Sequence, residues 1–111
     1  VKITTTNELT AYAVKVFRQA GFFCWRENTT GIWDQKAQAF RKNPNTMLGK
    51  SDILGFHRTT GQFLACEIKT GKDRLSGQQE VFLLEVRNAG GLAVVVRHGA
   101  DLEPYLTKKH T

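Results

Sequence analysis

Over residues 7–20 the apolar positions Leu9, Tyr12, Ala13, Val16, Phe17 and Ala20 return every three or four residues, which is the stripe of one face of an α-helix. Gly21 closes the run, so the spacing predicts a helix over 7–20. Residues 22–26 mix aromatics with Cys24 in a short run suited to a strand, and 28–31 carry turn chemistry. Residues 32–50 have no clear period, because Trp33 and Phe40 stand among Lys36, Arg41, Lys42 and Lys50 with Pro44 between them. That stretch predicts a loop or irregular strand carrying basic side chains.

From Asp52 the pattern sharpens. Residues 52–56 and 63–69 are apolar runs on either side of a polar segment containing Gly61, which predicts a hairpin. Ser76 is a favourable N-cap for a helix over 77–88, whose Phe82, Leu83 and Val86 share a face and which Gly90 and Gly91 end. Residues 92–97, with three consecutive valines, predict a strand buried on both faces, and 101–107 predict a short last helix. The order helix, strand, strand, strand, helix, strand joins the last two strands through a helix, and such crossovers make strands parallel. The expected fold class is α/β, a mixed sheet flanked by helices.

A length of 111 residues fits one compact domain with one site, so a single domain over 1–111 is expected. With 41% hydrophobic and 23% charged residues, the composition is that of a globular chain and not a disordered one. The apolar runs fall well short of the about 20 residues that cross a bilayer. No charged-then-apolar signal segment opens the chain, and a cytoplasmic protein without a membrane part is expected. Cys24 and Cys66 have no second Cys or His at metal-ligand spacing, so both read as core thiols. The formal net charge of +6 favours a polyanionic partner and suits RNA, DNA or anionic lipid equally.

The chemistry sits at the hairpin ends. Side chains alternate along a strand, so Glu67 and Lys69 project together while Cys66 and Ile68 face the core. The antiparallel hairpin lays the start of its first strand beside the end of its second, which brings Asp52 next to Glu67. Two neighbouring carboxylates repel unless a cation lies between them, and a hard divalent ion with oxygen ligands answers that need. An isolated E-x-K is more often a solvated pair on a sheet edge. Here the strand that carries it is too apolar to be uncovered, and Asp52 is placed to complete a site.

Glu8 in the first helix, the segment 49–55 (GKSDILG), Glu67-Ile68-Lys69 and the segment 75–79 (LSGQQ) together resemble the PD-(D/E)XK nuclease superfamily, and within it the VRR-NUC family. The strand at 90–97 (GGLAVVVR) is similar to the family's last core strand. Ser51 stands where the superfamily's name has Pro, and two glutamines stand where the family pattern has one.

The resemblance implies a restriction-endonuclease-like core and a catalytic set of Asp52, Glu67, Lys69, Glu8 and Gln79. Asp52, Glu67 and the Ile68 main-chain carbonyl would hold Mg²⁺ or Mn²⁺, with Glu8 as an outer ligand. Lys69 would orient or deprotonate the attacking water or stabilise charge growing on the phosphate. The Thr5-x-x-Glu8 spacing equally fits a capping box. Gln79, which shares a helical face with Phe82, Leu83 and Val86, is the glutamine expected to face the site.

Lys50, Arg58, Lys72 and Arg74 flank the hairpin ends as candidate phosphate contacts, with Arg26, Lys36, Arg41 and Lys42 as a wider footprint. Trp33 reads as a base-stacking, core or subunit contact, and His57, His98 and His110 as structural. Gly49-Lys50-Ser51 mimics the end of a P-loop but lacks the upstream glycine and the following helix. The expected function is a Mg²⁺-dependent DNA endonuclease. The resemblance implies branched DNA or a Holliday junction as substrate, and one site per chain leads to a homodimer. The alternatives are an inactive nucleic-acid-binding module of the same fold, and an anionic-ligand or protein-interaction domain.

Overall fold

The computed structural model describes residues 5–27, 32–41 and 47–106, with backbone alone at 32, 33, 40 and 41. The turn expected at 28–31, Lys42 and His110 lie outside the described residues. Helix α1, Thr6–Gln19, starts from a capping box in which Thr5 Oγ1 accepts from the Glu8 N–H at 3.0 Å and Glu8 Oε1 accepts from the Thr5 N–H at 3.1 Å. Leu9, Ala13, Val16 and Phe17 are its buried stripe, as the periodicity predicts.

Strand β1, Phe22–Arg26, alternates buried Phe22 and Cys24 with exposed Phe23 and Trp25. The stretch read as loop or irregular strand contains a two-stranded hairpin, β2 (Ile32–Asp34) with β3 (Ala39–Arg41), which forms a sheet of its own. Its turn is made by Asp34, whose Oδ1 accepts the N–H groups of Lys36 and Ala37 at 3.0 and 3.2 Å.

Strands β4 (Ile53–His57) and β5 (Phe63–Ile68) form the expected hairpin. Helix α2, Gly77–Asn88, begins at the predicted Ser76 N-cap and leads to β6, Leu92–Val96. A 3₁₀ helix, Gly99–Tyr105, follows where a short last helix is expected. The main sheet runs β1-β4-β5-β6, with β5 and β6 parallel and the other pairs antiparallel. The fold is α/β, as expected.

Register decides which residues reach the site. Arg26, Ile53, Cys66 and Val94 form one cross-sheet row, and Trp25, Leu54, Ala65 and Ala93 the next. Phe22, Cys24, Ile53, Leu64, Cys66, Ile68 and Val96 pack against α1 and Leu102 in the larger core. The other face meets Leu83, Val86 and Phe82 of α2 in a smaller core with Ala65 and Ala93. Both cysteines are free and buried, and burial raises their thiol pKa values, as core thiols require.

Gly55 lets β1 and β4 approach, because a Cβ there would lie 2.3 Å from the Phe23 carbonyl oxygen and 2.6 Å from Cys24 Cα. Gly55→Ala should therefore destabilise the protein by about 3 kcal/mol. A urea midpoint that stays at the parental value would refute this account of the strand contact. Among the described residues no helix is long and apolar enough to cross a membrane.

Candidate active site

At the end of the β4–β5 hairpin, Asp52 immediately precedes β4 and continues its pairing with both neighbours. Its carbonyl accepts the Glu27 N–H at 2.7 Å, and its Oδ2 accepts the Ile68 N–H at 2.8 Å. Asp52 is thus held in the line of the sheet, with one carboxylate oxygen tied to β5. A residue's N–H and carbonyl leave a strand on the same edge, so the Ile68 carbonyl is directed to the Asp52 side.

Glu67 is the most buried acid of the site, at 1% exposure. Its Oε1 accepts from Gln79 Nε2 at 3.0 Å, and its Oε2 is buried with no partner. Burial first, then the Asp52 charge and the close approach of the Asp52 carboxyl, push its pKa up to about 8, while Lys69 and Ser51 act in the opposite direction. The Ser51 hydroxyl, 1% exposed, favours the charged form but makes no hydrogen bond of good geometry. A buried carboxylate with one free oxygen, facing a second carboxylate, could serve as half of a cation site.

Lys69 continues the β5–β6 ladder through its N–H to the Val96 carbonyl at 3.0 Å and lies on the Glu67 face, half-buried. Among the described residues its ammonium has no hydrogen-bond or ion-pair partner. Gln79, the N3 residue of α2, has two bonded ends. Its Oε1 accepts the Ser76 N–H at 2.8 Å and closes a capping box, while its Nε2 goes to Glu67. Gln78 faces elsewhere, and its carbonyl abuts Gly49, where a Cβ would come within 2.3 Å and φ is +80°. That contact fixes the 49–52 approach to the site against the start of α2.

The remaining expected residues divide by location. Glu8 is exposed in the first turn of α1 and closes the Thr5 capping box. The Thr6 and Thr70 hydroxyls, 2.7 Å apart, bring that turn beside the end of β5. Lys50 is paired with Glu27 at 2.9 Å, its side chain 13% exposed. Lys72 and Arg74 are exposed on the loop between Lys69 and α2. Arg58 lies at the opposite, turn end of the hairpin, over the Phe23 ring at 5.2 Å. Arg26 sits on the α1 side of the sheet, bonded to Asn7 Oδ1 at 2.6 Å. Lys36 is exposed in the β2–β3 turn, and the side chains of Trp33 and Arg41 lie outside the described residues.

Two residues of the site were not anticipated. Glu27 continues β1 beside Asp52, and its carboxylate takes Lys50 on one oxygen and Trp25 Nε1 on the other, at 2.9 and 2.8 Å. The Lys50 and Trp25 hydrogen bonds hold its carboxyl below the usual range. Ser51, read as a mere replacement for Pro, contributes its buried hydroxyl. The available signal for Glu27 was its position, an acid closing an apolar strand as Glu67 does.

The VRR-NUC domain family matches the chain over residues 13–100. The chain belongs to that family. VRR-NUC domains are nuclease domains of the PD-(D/E)XK superfamily, so this chain is a nuclease domain with DNA as its substrate. The VRR-NUC match contains Asp52, Glu67, Lys69 and Gln79, and Glu8 precedes it. No curated protein and no solved structure matches the chain.

The donor set suits a small hard cation. Among the described residues no group of three or more His, Cys, Asp and Glu side chains is placed to hold a metal ion. Mg²⁺ is characteristically bound by one or two carboxylates and keeps several waters. The unpartnered Glu67 Oε2, the Asp52 carboxylate and the Ile68 carbonyl could supply such ligands.

Proposed function

We propose that this VRR-NUC domain is a divalent-metal-dependent DNA endonuclease that cuts branched DNA, two copies acting together. The observation that carries the reading is the buried, half-satisfied Glu67 carboxylate facing Asp52, with the Lys69 ammonium on the same side of β5 and close enough for its charge to act on Glu67. Asp52, Glu67 and the Ile68 carbonyl would hold Mg²⁺ or Mn²⁺. Such an ion supplies acidity to a coordinated water and neutralises charge on the scissile phosphate.

The chain's own residues do the rest. Gln79 fixes the Glu67 carboxylate so that one oxygen stays free. Lys69 donates to the attacking water or to the phosphate oxygen on which charge grows. Lys72 and Arg74 hold phosphates beside the cut. Water adds to phosphorus, one P–O ester bond breaks, and the leaving oxygen takes up a proton. A four-way junction has two strands to cut and each chain offers one centre, which is why a pair of chains suits it.

The test is cleavage of supercoiled plasmid, linear duplex and a four-way junction in Mg²⁺, in Mn²⁺ and in excess chelator. Cutting that needs the ion and prefers the junction is expected. Retained DNA binding with no cutting in either ion would overturn the reading in favour of an inactive binding module. Gln79→Ala should weaken Mn²⁺ binding by about ten- to a hundredfold, since a group that orients a ligand carries that much. Calorimetric titration giving parental affinity would show that Gln79 serves α2 alone.

A further inference from the structure

The α2-side face of the sheet is half covered. Helix α2 packs over β5 and β6, and no described element lies over β1 and β4 on that side. The register stacks Phe23, Phe56 and Phe63 in one row and places Trp25 and Leu54 in the next. Phe23 and Phe56 are stacked at 5.4 Å, with Trp25 edge-on to Phe23. These four aromatics remain 37–48% exposed. Leu54 and Phe82 connect the row to a groove of about 460 Å³ along α2, where Met47, Leu48 and Val81 are 46–64% exposed.

We infer that this face, centred on Phe56 and extending to Val81, is the surface on which a second copy of the chain docks. The inference rests on the nuclease reading for its purpose, and it adds the surface.

Area supports that occupant. At about 200 Å² per aromatic and about 150 Å² per aliphatic side chain, those exposures leave roughly 600 Å² of apolar surface. A stable interface takes about 800 Å² from each partner and is about 65% apolar in a homodimer. The patch and a polar rim therefore match one side of a two-fold contact.

The neighbouring strand edge offers no substitute. The outward Cys24 carbonyl of β1 is taken by Arg18 Nε and Nη2 at 3.2 and 3.0 Å, which blocks strand addition there. The rim of the patch carries the Glu27–Lys50 pair next to Asp52, so docking on this face sets the separation of the two active sites.

The test uses the full chain without DNA or metal, so its outcome is independent of cleavage. In sedimentation equilibrium at tens of micromolar, the parental protein should run at twice its 12.5 kDa chain mass. Phe56→Lys and Val81→Asp should each run as monomers with parental far-UV circular dichroism. Val81 is a surface helix position, so its variant stays informative if Phe56→Lys fails to fold. Lys15→Glu, on the other side of the molecule, should stay dimeric. A monomeric parent, or folded variants that remain dimeric, overturns the inference. A monomeric parent whose Phe56→Lys form loses single-stranded oligonucleotide binding would identify the face as a base-stacking platform. Nicking of plasmid DNA, scored separately, reports whether the nuclease reading has failed instead.

Discussion

Lys69→Ala protein should bind DNA close to parental affinity and cut it at least about a hundredfold more slowly, the loss expected when a donor aimed at developing charge is removed. Affinity survives because binding to the backbone is shared among many cations, and Lys69 is one of sixteen Lys and Arg. The fold survives because the Lys69 side chain has no partner among the described residues, while its backbone bond to Val96 is kept. Asp52→Asn should lose cutting equally and gain nothing from Lys69, since the two act as a unit. Single-turnover cleavage with a parallel binding titration makes the comparison. A Lys69→Ala protein that cuts at the parental rate would remove Lys69 from the chemistry.

The metal-free protein should become less stable as pH rises from about 5 to about 8, and Glu67→Gln should abolish that decline. The Glu67 carboxyl is held protonated, with its pKa near 8 against an ordinary value of 4.5. A group with a raised folded-state pKa contributes stability that is full below the unfolded value and is lost as pH climbs through the folded one. The loss amounts to a few kcal/mol, or on the order of 10 °C in melting temperature. Glu27 and Asp101 have lowered values and act at the acid end, and Cys24, Cys66 and Tyr105 have values raised from 9 or 10 and act at the alkaline end, so the slope between about pH 5 and about 8 belongs to Glu67. A divalent ion held at this pair would take the carboxylate form, so adding Mn²⁺ should flatten the slope by restoring stability on the alkaline side. Thermal melts in chelator and in Mn²⁺, across that range, check both statements. A flat metal-free profile would mean that Glu67 is charged in the fold.

The strands and helices of the core were legible because burial imposes a period, 3.6 on α1 and α2 and 2 on β1. Gln79 was legible for the same reason, since its helical face is fixed by Phe82, Leu83 and Val86. The β2–β3 hairpin was not, because its turn uses the Asp34 carboxylate and places Gln38 at φ +53°, where a readable hairpin shows Gly or Asn. Charged side chains were the least legible. Lys50 finds its partner 23 residues away in Glu27, and Arg58 finds the Phe23 ring across the sheet. Neither pairing leaves a mark in local sequence. The exposed half of the sheet was hidden too, since Phe23, Trp25 and Phe56 look like core residues until α2 is seen to miss them.

Anomalous scattering from a crystal soaked in Mn²⁺ would locate the ion at or away from the Asp52–Glu67 pair. A peak is expected at about 2.0–2.4 Å from an Asp52 oxygen and from Glu67 Oε2, with the Ile68 carbonyl as a further ligand. A peak bound elsewhere, or a Glu67 carboxyl that stays protonated and unligated at saturating Mn²⁺ and pH 8, would contradict it.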